Sequence, residues 1–86
     1  MLLYGNKEKD CHMQTQITNI RTLGALIKEA RKSQTLTQED LAGITLTGRR
    51  FIVDLENGKE TAEIGKVLQV LNALGIALTA SATWKD

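Results

Sequence analysis

Eighty-six residues make one small domain, with no proline, one cysteine, three aromatic side chains and a net charge of +1. A chain this short buries about 60–65% of its unfolded surface, and an apolar set dominated by Leu, Ile, Ala and Val favours helices over a sandwich or barrel. One cysteine excludes an intramolecular disulfide, and no apolar run reaches the ~20 residues that span a bilayer; with no signal peptide, the chain reads as cytoplasmic.

Residues 1–18 read as a mobile N-terminal tail, since "GNKEKDCHMQTQ" is polar and aperiodic. Cys11 and His12 lie in it, but a zinc site needs about four ligands and nothing else qualifies, so neither metal nor cofactor is expected. From Asn19, an N-cap candidate, the pattern turns helical: Ile20, Leu23, Ile27, Ala30 and Gln34 form one stripe, widened by Leu26. Lys28, Arg31 and Lys32 then suit the C-terminal end of that helix dipole.

The stretch "LTQED" opens a second helix, expected from Gln38 to Ile44. Thr37 is its N-cap, Asp40 completes a variant capping box, and Leu36 and Leu41 occupy the positions of a hydrophobic staple. "TLTG" breaks it. A third helix spans about Gly48 to Asn57, burying Ile52 and Leu55 and ending at Gly58 as the C′ residue. Thr61 is taken as the cap of a fourth helix, with Ile64, Val67, Leu68, Leu71 and Leu74 on its apolar face and Gly75 as its stop. The period then falls to two: Ile76, Leu78, Ala80, Ala82 and Trp84 alternate with smaller or polar residues, as in a half-buried strand. A lone strand leaves its backbone groups unpaired, so the expected partner is the same strand of a second copy, antiparallel across a two-fold axis.

The organisation expected is a tail over 1–18, a domain over 19–75 and a dimerisation strand over 76–86. Charge is uneven along it: residues 20–59 carry seven basic against five acidic side chains, mildly basic as a nucleic-acid surface requires. No catalytic chemistry is evident. The one histidine lies in the tail, no carboxylates pair in a catalytic pattern, and "GITLTG" lacks the Gly-Lys-Ser/Thr ending of a phosphate loop. The chain is therefore not expected to be an enzyme.

Two short helices joined by a tight turn have helix-turn-helix spacing. The residues "LTQEDLA" followed by "RRFIVDLENGK" resemble the phage-repressor-like, or XRE, helix-turn-helix family over about Leu23 to Leu74. The resemblance implies a mainly α, lambda-repressor-like domain of four helices, here with a C-terminal β-strand pairing across a dimer. It implies a sequence-specific repressor of palindromic operator DNA. The second helix of such a pair lies in the major groove with its N-terminal residues at base edges, and Arg49 and Arg50 hold that position. Arginine there can hold guanine N7 and O6 with two hydrogen bonds or grip a phosphate; one is expected at bases, the other at bases or the sugar-phosphate edge. Asp54 matches a further base-facing position, where it accepts from cytosine N4 or orients Arg50 at i, i+4. Gln38 matches the family's phosphate-binding glutamine, Thr47 and Lys59 are further phosphate candidates, and Gly48 lies on the same edge. Arg31 and Glu56 match a structural ion pair between the first and third helices.

The sequence departs from the family in the turn, where Leu46 stands in place of glycine: either Leu46 is strained or the turn differs in shape. Gly48, in place of Ser or Thr, weakens the helix cap. The ending "TAEIGKVLQVLNALGIALTA" is similar to HipB-type antitoxins, implying a toxin-antitoxin operon, autorepression and a HipA-like serine/threonine kinase as partner. A stand-alone XRE regulator, or a kinase-binding module that does not touch DNA, are the alternatives.

Overall fold

The computed structural model describes residues 14–85; Cys11, His12 and most of the expected tail lie outside the described residues. Four helices follow in order: α1 (Ile20–Ser33), α2 (Gln38–Thr45), α3 (Arg49–Glu56) and α4 (Ile64–Ala73), with a short 3-10 turn at Thr83–Lys85. α3 packs against α1 and α2, and α2 also packs against α4. The core lies between all four. Ile27, Leu41, Ile52, Leu55, Val67, Val70 and Leu71 are its fully buried side chains, each stabilising the fold by about 1.5–3 kcal/mol through removal from water.

Local chemistry explains the helix limits. Asn19 Oδ1 accepts from the Thr22 N–H at 2.8 Å and caps α1. Thr37 and Asp40 form a full capping box on α2, each side chain accepting from the other's backbone N–H at 2.9 Å. Those hydrogen bonds hold the Asp40 carboxyl below the usual carboxylate range. α3 and α4 end alike. In α3 the Lys59 N–H reaches the Asp54 carbonyl and the Gly58 N–H that of Leu55; in α4 Ile76 reaches Leu71 and Gly75 reaches Asn72. Gly58 (φ 81°) and Gly75 (φ 78°) supply the left-handed residue that this double bond requires. α1 closes in the same way on Thr35 (φ 56°), a left-handed residue that the sequence pattern did not disclose.

Two expectations about α4 need correction. α4 is capped at Glu63, not Thr61, and without a side-chain bond; residues 59–62 form a turn in which the Ala62 N–H reaches the Lys59 carbonyl, delaying the helix by two residues. Its buried face runs through Val67, Val70, Leu71 and Leu74, leaving Ile64 and Leu68 exposed. The C-terminal segment, expected to pair with a second copy, forms no strand in the single chain. Among the described residues no β-strand forms: 76–82 carry no regular structure, and Trp84 sits in the 3-10 turn, 82% exposed. A strand satisfies its backbone groups only against a neighbouring strand, and the described residues of this chain offer none.

α1 and α3 approach closely at Gly24. A Cβ there would stand 2.9 Å from the Glu56 carbonyl oxygen and closer still to that of Leu55, which are backbone atoms of the helix that carries the arginines. Gly24→Ala gains ~1 kcal/mol of helix propensity but forces the helices apart at a cost of about 1–3 kcal/mol. Urea denaturation is expected to show a net loss of stability, against the usual gain for glycine to alanine within a helix.

Candidate nucleic-acid interface

α3 is an eight-residue helix with two unlike sides. Ile52, Leu55 and Glu56 are buried, at spacings of three and four that place them on one face. Arg50, Asp54 and Asn57 fall on the opposite face by the same periodicity, with Arg49 and Val53 on its flank. Arg49 and Arg50 occupy the first turn, where the helix N-terminus already carries partial positive charge. Gly48 is the N-cap (φ 87°) and makes no side-chain bond to that turn, so its free amide groups and the two guanidinium groups point one sign of charge outward. The region suits an anionic partner.

The back of α3 is fixed by a buried polar network. Arg31 Nε donates to Glu56 Oε2 at 2.6 Å and its Nη2 to Oε1 at 3.1 Å, while Nη1 donates to the Leu36 carbonyl at 2.8 Å. The two side chains are 8% and 2% exposed. The hydrogen bond to Glu56 raises the Arg31 pKa above its ordinary value, and burial opposes this, so Arg31 stays charged at any working pH. Gln38 Nε2 donates to the same Glu56 Oε1 at 3.1 Å. One carboxylate therefore ties together α1, the start of α2 and the end of α3, and sets the angle at which α3 leaves the domain.

Gln38 thus has one amide hydrogen committed inward and one left for an outside acceptor. Thr47 Oγ1 is 2.9 Å from Thr45 Oγ1, whose hydroxyl also reaches the Leu41 carbonyl. Asp54 lies between two cations, with Oδ1 3.5 Å from Arg50 Nε and Oδ2 3.5 Å from Lys59 Nζ. The i, i+4 contact with Arg50 is the arrangement expected of an orienting acid; the Lys59 contact was not visible in the sequence, because it depends on the Gly58 turn folding the chain back over α3. Val53, half-buried one turn on from Arg49, adds apolar surface to this edge.

Leu46 settles the shape of the turn. It takes the left-handed conformation (φ 58°, ψ 35°) and is 90% exposed, so it bears the backbone strain of glycine's usual place without packing in return. Leu46→Gly relieves ~1–2 kcal/mol of strain and adds about 0.4–1 kcal/mol of unfolded-state entropy. A thermal melt is expected to show a net gain of up to ~1.6 kcal/mol, with no loss of folded structure.

A family model described as a helix-turn-helix domain matches residues 24–84. The chain belongs to the XRE-type helix-turn-helix family. An uncharacterized HTH-type transcriptional regulator of Sinorhizobium fredii, y4mF, is 53% identical to this helix-turn-helix chain over 66 residues, covering 77% of it and 87% of the relative. Solved structures share its fold. A HipA–HipB–O2–O3 complex matches with a TM-score of 0.74 at 21% identity, and a HipB–O4 20mer complex with 0.74 at 20%, each over 81% of this chain and 99% of the other. The four-helix, helix-turn-helix architecture is therefore that of HipB. Among the described residues no helix is long and apolar enough to cross a membrane.

Proposed function

We propose that this helix-turn-helix regulator is a dimeric, sequence-specific transcriptional repressor that binds palindromic DNA through the N-terminal edge of α3. The observation that carries this reading is the exposed pair Arg49 and Arg50 at the start of the second helix of the motif, with the helix locked from behind by the Arg31–Glu56–Gln38 network. Arg49, Arg50 and Asp54 address bases or orient those that do; Gln38, Thr47, Lys59 and the free amides around Gly48 address phosphates. Residues 19–75 form the DNA-binding domain.

Residues 76–86 carry the dimer contact. Leu68, Leu71, Ile76 and Leu78 line one shallow groove beside α4, and Leu78 and Trp84 are exposed large apolar groups. Pairing of this segment with its copy across a two-fold axis satisfies both backbones and covers these side chains. Ending the chain after Ala77 retains the Ile76 bond that closes α4 and is expected to give a monomer by sedimentation; an unchanged dimer rules the segment out as the clamp.

Shared fold with HipB, whose solved complexes include HipA, supports a finer reading: an antitoxin that neutralises a HipA-like kinase in the cytoplasm and represses its own operon. The test of the DNA-binding reading is retardation in a gel of the DNA upstream of its coding sequence. A shift at low salt that weakens steeply as salt rises is expected. Absence of a shift at low salt, with kinase binding retained, leaves a protein-binding module in its place.

A further inference from the structure

The arrangement around Asp54 does more than orient one arginine. The carboxylate faces two cations at 3.5 Å, Arg50 at 84% exposure and Lys59 at 55%, and is itself only 24% exposed. Exposed ion pairs of this kind add little to folding, so stability does not account for an acid placed between two exposed cations. An acid near phosphate is repulsive and cancels part of the attraction of both neighbours. Its contact to Arg50 is through Nε, which leaves the two terminal nitrogens for a guanine edge. The second contact is built in by the backbone, because the Lys59 N–H bonds the Asp54 carbonyl in the Gly58 turn.

We infer that Asp54 is a specificity-setting positioning residue: it restrains Arg50 and Lys59 against sequence-independent binding to phosphate while holding Arg50 aimed at a base. Sequence-independent affinity comes almost entirely from cations on phosphates, so one carboxylate shared between two of them offsets about one unit of charge and weakens that mode. Bound to its correct site, the chain recovers affinity through the bases Arg50 holds. Selectivity arises from making the wrong complexes weaker as well as the right one stronger.

This inference rests on the DNA-binding reading, and one experiment separates the two. A duplex enriched from a random pool by the wild-type chain, and a shuffled duplex of the same composition, are titrated with wild type, Asp54→Asn and Asp54→Glu at several salt concentrations. Asp54→Asn is expected to bind the shuffled duplex ~5-fold tighter or more, with the salt slope steeper by about one to two contacts. Its ratio of enriched to shuffled affinity falls ~10-fold. Asp54→Glu restores both values, and the melting temperature stays the same across all three. Equal changes on both duplexes with an unchanged slope overturn the inference and leave the DNA-binding reading standing. A wild-type chain that enriches no duplex overturns both.

Discussion

Glu56→Ala lowers the unfolding free energy by about 3–5 kcal/mol, most of what a domain of this size holds in reserve. The loss is large because the substitution strands a buried charge. Arg31 is 8% exposed and directs two of its nitrogens at the Glu56 carboxylate; without it they face neither water nor an acceptor. Gln38 loses its partner in the same step. Replacing both members, Arg31→Met with Glu56→Leu, removes the unpaired charge along with the pair and is expected to be near neutral or stabilising. Urea denaturation followed by circular dichroism measures both. The comparison separates what the pair contributes to stability from what it does to geometry: the double variant folds but holds α3 less firmly, and its DNA affinity falls.

Arg49→Ala with Arg50→Ala leaves folding almost untouched, within about 0.5 kcal/mol, since neither side chain is part of the core. Its effect falls on binding. Each arginine that holds a guanine edge contributes ~1–3 kcal/mol, so the pair is expected to lower affinity for the preferred duplex by about 30-fold to 20,000-fold. Fluorescence anisotropy with a labelled duplex reads the change. A double variant that binds as the wild type does places the interface elsewhere on the domain.

Most of the fold was legible in the sequence because it follows from local rules. Asn19, the Thr37–Asp40 box and the glycines at 58 and 75 mark helix ends through their own backbone bonds. The arginine pair was legible for the same reason: its place at the start of α3 is a matter of spacing. What escaped depended on contacts distant in the chain or on competition between signals. Thr61 looked like a cap, but the Gly58 turn carries the chain two residues further before α4 can begin. Gly24 gave no sign of its role, which lies in the approach of the α3 backbone rather than in α1. Gln38 matches a phosphate-binding position, and nothing local shows that it also bonds Glu56, eighteen positions later. The alternation over 76–84 describes a face to be covered, and pairing in a strand requires a second set of backbone groups that no periodicity within one chain provides.

Leu46 and Gly48 bear on the aim of the arginines. Leu46 holds the left-handed conformation that the turn needs, so the turn keeps its shape with leucine in glycine's place. Gly48 leaves the first turn of α3 without a side-chain cap. The amides that a serine or threonine would occupy are available to an anion instead. Arg31, Glu56 and Gln38 hold α3 from behind, and Asp54 stands 3.5 Å from Arg50 Nε on its outer side.

Methylation protection tests the central claim most directly. Guanine N7 lies in the major groove, and dimethyl sulfate reports whether it is covered. On a duplex bound by the wild-type chain, protected guanines are expected in two patches about one helical turn apart (~10–10.5 base pairs), with protection lost in the Arg49→Ala, Arg50→Ala variant at a concentration that keeps it on the DNA. A bound duplex whose guanines all stay reactive, or protection that the double variant retains, contradicts it.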